Sequence, residues 1–425
     1  MWKQTRTVIL AILLLGLSAH ADHPQEGTAT LDALVAEALA SNPGLKAKAE
    51  AAKAAARHAS SQWSLFLPEL SLEGGSMKNR LDHERHSGST RYGKLEWNVF
   101  RGGADWGARG LARVEEDRAQ VELDVERAKV TRETAALFYK LTYVLESIAL
   151  QERALAMNQE QAKLAAAKKS AGLTSETDVI EFDLREATIQ SDIEALQTER
   201  RTLSRALSET LGRETISDNI LVHGHLTTAP KAPPLAELRQ ALHDGNPELR
   251  LARLDQTASS HEKAQAWATF LPKADVEGKW GKLANEERPW SRNNNYMLTL
   301  TVNLPIFSGF SSWNDVSAAS SRQAASDSLA FRASLRSAAE LESRVDHLNL
   351  LHRRIALEER TLARSEHYYR VTLAEYRRGV KNSPDMVGAA ERLITSRLRN
   401  LEFRRDSHLA WLEIQEMVGG GSGGG

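Results

Sequence analysis

The 425-residue chain contains no cysteine. That excludes disulfides, thiolate nucleophiles, cysteine-based metal centres and the lipidated cysteine of a lipoprotein anchor. Aromatic residues are sparse at 6%, and the formal net charge is −1, so no basic excess draws the chain to nucleic acid. Beyond the N-terminal leader no long uncharged apolar run occurs, which excludes membrane-spanning helices; any crossing would have to be a β-barrel. Proline is scarce as well, and two long stretches, 104–171 and 311–378, have none. No Ser/His/Asp constellation, phosphate loop or dinucleotide fingerprint is present, so neither an enzyme nor a cofactor is expected. His223-Gly224-His225 and the pair His83 and His86 lack further ligands and are not read as a metal site.

The leader is an address. Lys3 and Arg6 precede an apolar run from Val8 to Leu17, and Ala19-His20-Ala21 supplies a small-x-small cleavage site before Asp22. Residues 1–21 therefore read as a secretory signal peptide, too short in its apolar part for the ~20 residues of a spanning helix. Residues 420–425 have the composition of an engineered flexible linker and are set apart from the fold.

What is present is said twice. Asn42-Pro43, Leu67-Pro68 and Glu73-Gly74 recur 204 positions on as Asn246-Pro247, Leu271-Pro272 and Glu277-Gly278. Gly102, Gly172, Asp178 and Gly212 recur 207 positions on as Gly309, Gly379, Asp385 and Gly419. One architectural unit used twice is the expectation, with repeats at 22–212 and 235–419 and a proline-bearing linker at 213–234.

Each unit opens with a helix, 44–66 or 248–269, that Leu-Pro terminates. Strand-like runs follow. Tyr296, Leu298, Leu300, Val302 and Leu304 alternate with Met297, Thr299, Thr301 and Asn303, and Leu95, Trp97 and Val99 with Lys94, Glu96 and Asn98. Such a strand has one apolar and one wet face, as in a membrane barrel. The segments 80–91 and 284–294 are polar and predict solvent-facing loops. Glycine at 102 and 309 turns the strand into a helix, with Ser308 placed as N-cap. The proline-free stretches then carry heptads, Leu341-Leu348-Ile355-Leu362-Tyr369-Tyr376 in the second and Val114-Val121-Ala128-Ala135 in the first. Leu141, Ile148, Leu155 and Ala162 continue the first in a shifted register. Strict sevens specify helices packed side by side along their length. Glycine ends each long helix, and a helix of about 35 residues returns.

Four strands cannot close a membrane barrel, so chains must associate to complete the sheet. Two chains would give eight strands and a filled barrel; three would give twelve and a lumen, which suits a tube of long helices better.

Asn-Pro near the start of each half, Phe-x-Gly after the second strand and Gly-x-x-Ser-x-x-Asp-Val at the hairpin tip resemble the outer membrane efflux proteins of the TolC family. The resemblance runs from about residue 31 to 418. It implies an α+β membrane protein, trimeric, with a twelve-stranded outer-membrane β-barrel, four strands per chain, continuous with a periplasmic α-helical barrel of coiled-coil hairpins. It implies the outer membrane of a Gram-negative bacterium and the role of exit duct for a tripartite efflux pump or type I secretion system. The implied partners are a periplasmic adaptor, an inner-membrane transporter of the resistance-nodulation-division or ABC type, and outer-membrane lipid. The resemblance assigns Asp385 to the periplasmic constriction, with Gly388 where a second acid is expected. It assigns Tyr376, Lys381 and Asp178 to a closing tether, with a Lys381–Asp178 latch. The tips are the expected adaptor contacts: Gly172, Leu173, Thr174 and Ser175 on the first hairpin, and Gly379, Val380, Asn382 and Ser383 on the second. The rival reading is a periplasmic coiled-coil adaptor or scaffold that never enters the membrane.

Overall fold

The computed structural model describes residues 29–81, 84–283 and 295–419. The expected signal peptide, the 284–294 loop and the 420–425 tail lie outside the described residues.

The chain runs through one order of elements and then through it again. Helices α1 (Leu31–Ser41) and α2 (Pro43–Ser61) lead through a 3-10 turn into β1 (Glu69–Leu81) and β2 (Glu84–Arg101). The long helix α3 (Ala104–Ser170) and the returning α4 (Glu176–Thr210) follow. The second pass comprises α5 (Leu235–Gly245), α6 (Pro247–Ala268), β3 (Lys273–Lys282), β4 (Asn295–Asn303), α7 (Ser311–Arg377) and α8 (Ser383–Met417). The opening helices expected at 44–66 and 248–269 are present, and each is preceded by a helix the sequence reading did not include.

The Asn-Pro pairs explain that break. Asn42 Oδ1 accepts from Leu45 N at 3.0 Å, capping α2 with Pro43 in its first turn, while Asn42 Nδ2 donates to Thr210 O at 2.8 Å. Asn246 does the same, accepting from Leu249 N at 3.0 Å and donating to Met417 O at 2.8 Å. One side chain thus starts a helix and fastens it to the end of the returning helix of its own half.

Both α3 and α7 have 67 residues, about 100 Å at ~1.5 Å per residue. Glycine in the left-handed region stops each of them, Gly172 at φ +72° and Gly379 at φ +80°. Around each, Leu173 N bonds back to Lys168 O, and Val380 N to Glu375 O, both at 2.9 Å. These are paired end-of-helix bonds that satisfy the last carbonyls. The heptad positions Leu341, Leu348, Ile355 and Tyr376 are buried, as are Val114, Val121, Ala135 and Leu141. Near the tips α3 packs on α4 and α8, and α8 on α7. Nearer the sheet α3 packs on α2 and α6, and α6 on α7. The second half's α7 therefore borders one side of the helical layer along its length. Helices of the first half border the other.

The four strands form one antiparallel sheet in the order β1-β2-β3-β4. Leu70, Leu72, Leu95, Trp97, Val276, Trp280, Leu298 and Leu300 share one face by strand alternation, and Glu73, Tyr92, Lys94, Glu96, Glu277, Lys279, Thr299 and Thr301 the other. Among the described residues the outer edges of β1 and β4 have no strand partner. Also among them, no helix is long and apolar enough to cross a membrane.

Two expectations are corrected. The polar segment 80–91 is mostly strand: β1 and β2 stay paired from Gly74↔Arg91 to Leu81↔Glu84. A ladder is held by its backbone, and a hairpin that extends past an apolar band loses hydropathic alternation without losing hydrogen bonds. Ser308 does not cap α7. Gly309 and Phe310 both adopt left-handed φ, inserting a turn before the helix, and Ser308 Oγ instead lies 2.9 Å from Ser312 Oγ.

Candidate functional site: the hairpin tips

The two tips of one chain meet. On the first, Ser175 Oγ accepts from Asp178 N at 3.3 Å and Asp178 Oδ2 accepts from Ser175 N at 3.3 Å, a reciprocal cap on α4. Asp178 Oδ2 also accepts from the hydroxyls of Thr174 and Ser175, and its Oδ1 reaches across to accept from Ser383 N at 3.2 Å. The Thr174 hydroxyl above all, joined by Ser175 and the Ser383 amide, holds the Asp178 carboxyl well below the usual carboxylate range, outweighing its partial burial. On the second tip Asn382 Oδ1 accepts from Asp385 N at 3.1 Å to cap α8, with Pro384 in the first turn.

Tyr376 is 2% exposed, and its hydroxyl lies 3.4 Å from the Ser383 Oγ. Its ring meets Phe182 edge-on at 6.1 Å and carries the Lys168 ammonium 4.0 Å from its centroid. Lys168 Nζ also donates to the Tyr376 carbonyl. A cation over an aromatic face and against a helix's last carbonyls is doubly favoured. The end of α3 is thereby bound to the end of α7.

The structure thus brings Asp178 and Tyr376 together, with Ser383 between them. Lys381 is not part of that junction within the chain. Its Nζ stands 3.6 Å from Asp385 Oδ2, one turn along its own hairpin, so the expected Lys381–Asp178 pair is replaced by Lys381–Asp385. The reason is reach: Asp178 is already saturated by four donors of the two tips, while Asp385, in the first turn of α8, lies only four residues beyond Lys381. Ser383 is corrected too. It is 0% exposed, so it forms part of the junction and not of an accessible contact surface. Gly172, Leu173, Ser175, Gly379, Val380 and Asn382 are exposed, and Thr174 is half-buried. Gly388 has open space around it, leaving one acidic position, Asp385, on this face.

Lys168 and Phe182 were missed by sequence reasoning. Lys168 is one of several lysines in the last turns of α3, and no local signal separates it from its neighbours.

The sheet's polar face carries interleaved charge. Tyr92 Oη donates to Glu73 Oε2 at 2.6 Å, Lys94 Nζ lies 3.5 Å from Glu73, and Lys279 lies 2.6 Å from Glu277. Among the described residues no three His, Cys, Asp or Glu side chains gather as a metal site requires. His225 Nδ1, of the His-Gly-His run, lies 3.1 Å from Glu146; His83 falls outside the described residues.

The model of the outer membrane efflux protein family matches the chain twice, at residues 34–213 and 238–420. Among solved structures, the outer membrane protein VceC of Vibrio cholerae is similar at TM-score 0.79 and 16% identity, covering 92% of this chain and 96% of that one. The CmeC outer membrane channel of Campylobacter jejuni gives 0.81 and 13%, covering 92% and 86%. The MtrE outer membrane channel of Neisseria gonorrhoeae, in an open state, gives 0.80 and 16%, covering 92% and 89%. No curated protein matches by sequence. The family match places the chain among outer membrane efflux proteins, and not among enzymes or scaffolds confined to the periplasm. With both of its halves matched, the chain belongs to the outer membrane efflux protein family, a family of the outer membrane.

Proposed function

We propose that three copies of this chain close into one tube and serve as the exit duct of a tripartite efflux pump or type I secretion system. The observation that carries this is an open, two-faced sheet of four strands continuous with helices of 67 residues in the same chain. An open sheet with one apolar face cannot sit in a bilayer with its edges bare. Three times four strands gives a twelve-stranded barrel wide enough for a lumen, with Leu72 and Leu298 toward lipid and Glu73, Lys94 and Lys279 toward water. The helical layer supports the same closure, since α7 borders one side of it as β4 borders one side of the sheet.

In this reading the repeats 22–212 and 235–419, joined by the 213–234 linker, supply six near-equivalent staves. Asp385 lines the periplasmic constriction, where three symmetry copies of the carboxylate favour cations over anions. Asp178, Ser383, Tyr376 and Lys168 hold the two tips of a chain together, and Lys381 sets the charge at the constriction through Asp385. A periplasmic adaptor meets the exposed tips around Leu173 and Val380, and an inner-membrane transporter supplies energy. The duct itself is passive.

The test is the assembled protein. Outer-membrane extracts should yield heat-modifiable trimers that conduct in planar bilayers. A monomer in the outer membrane, or a trimer that never conducts even with its tips released, overturns the reading.

A further inference from the structure

Gly102 and Gly309 hold the same place in the two halves, each between a strand and a long helix and each at φ +65°. Their surroundings differ. A Cβ on Gly102 would stand 2.5 Å from Ala268 O and 2.8 Å from Leu271 Cβ, in the turn that leads from α6 into β3. A Cβ on Gly309 would meet nothing within 4 Å. Left-handed backbone alone does not account for glycine at 309, because the next residue, Phe310, takes φ +66° with a full side chain. Close approach of another backbone accounts for Gly102. At Gly309 the approaching backbone is missing.

The turn 268–271 has a twin 204 residues earlier, Ser64–Leu67, between α2 and β1. Each turn is spanned by an aromatic pair at the same spacing, a tryptophan just before it and a phenylalanine within it, with ring centroids 5.8 Å apart in Trp63–Phe66 and in Trp267–Phe270. The second turn is used inside the chain, where the end of β2 pairs with the start of β3 at Arg101↔Lys273. The first lies at the opposite edge of the sheet from β4, and its Leu67 is 63% exposed.

We propose that Ser64–Leu67 of a second copy seats against Gly309 as Ala268–Leu271 seats against Gly102. Continuing the antiparallel order past β4 sets the β1 of the next chain beside it, and therefore sets this turn beside Gly309. Phe270, Pro305, Phe307 and Trp313 line an apolar cleft of about 400 Å³ at this place, and Leu67 and Trp63 of the second copy supply matching apolar surface. The contact rests on the ring closure proposed above and names its joint: the interface inside the chain is the template for the interface between chains.

The absence of cysteine makes the test direct. The full-length double variant Leu67→Cys/Ser308→Cys, which leaves Gly309 intact, is oxidised in outer membranes and run unheated and heated without reductant. Most of the chain should move into linked dimers and trimers that survive heating. Leu67→Cys/Phe307→Cys, across the cleft, should do the same, while Arg101→Cys/Leu271→Cys, the counterpart of the first pair inside the chain, should link only within a chain. Unheated trimers of both inter-chain pairs that give no ladder, as they would with lipid in the cleft, overturn the contact and leave the ring standing. A wild-type protein that is monomeric in the membrane overturns both.

Discussion

Ser383 N donates to Asp178 Oδ1 at 3.2 Å, joining residues 205 apart in sequence, and this bond ties the two hairpin tips of one chain. Tyr376 and Lys168 extend the tie to the ends of the long helices. Asp178→Ala removes the acceptor for Ser383 and half of the α4 cap, whose loss costs about 1 kcal/mol. The variant should conduct more in planar bilayers than the wild type, and Lys168→Ala should act in the same direction. Lys381→Gln should change ion selectivity through Asp385 while leaving conductance closer to wild type. Equal conductance in the wild type and Asp178→Ala would remove the tie from the gate.

The same carboxylate sets a pH window. Its folded pKa is depressed by Thr174, Ser175 and Ser383, so its contribution to tip stability is fully present above the unfolded aspartate value of about 3.9. That contribution is lost as pH falls through the depressed folded value. The difference in thermal midpoint between wild type and Asp178→Asn should therefore stay level from pH 8 to about 5. It should shrink only in stronger acid. A difference that already halves between pH 7 and 5 would show that the hydrogen bonds do not hold the ionised form.

Much of this was legible because its signals are local. The long helices end within a residue of the proline-free stretches, since glycine at 172 and 379 stops a helix wherever it is packed. The alternation of Tyr296 to Val302 appears unchanged in β4. What stayed hidden is contact between distant segments. The four-residue spacing of Lys381 and Asp385 offers that pair locally, but nothing local says that Asp178 is occupied by Ser383, because that contact depends on how two hairpins lie together. The polar stretch 80–91 misled for a different reason: hydropathy reports the lipid band, and the paired backbone continues past it.

Gly93 and Trp280 are register partners on the apolar face, and a Cβ on Gly93 would stand 2.4 Å from the indole ring. The ring covers the glycine and shields the ladder beneath it. Gly93→Val should displace the indole and lower the temperature at which the oligomer dissociates, at a cost of about 1–3 kcal/mol typical of overpacking. In a Trp280→Ala background the same substitution should cost much less. A double-mutant cycle with no coupling would show that the two side chains do not share this site.

Neighbouring residues of β4 separate the two faces of the sheet. Leu298 stands opposite Gly278 on the apolar face, and Thr299 opposite Glu277 on the charged one. An arginine toward the bilayer midplane costs about 2–4 kcal/mol, whereas a lumen-facing one stays hydrated. Leu298→Arg should therefore reduce the amount of heat-modifiable oligomer recovered from outer membranes. Thr299→Arg should assemble normally and shift the reversal potential toward anions, because it adds positive charge beside Glu277 and Lys279. The opposite pattern, normal assembly of Leu298→Arg and failure of Thr299→Arg, would turn the sheet inside out and place Glu73, Lys94 and Glu277 against lipid, where interleaved charges have no hydration.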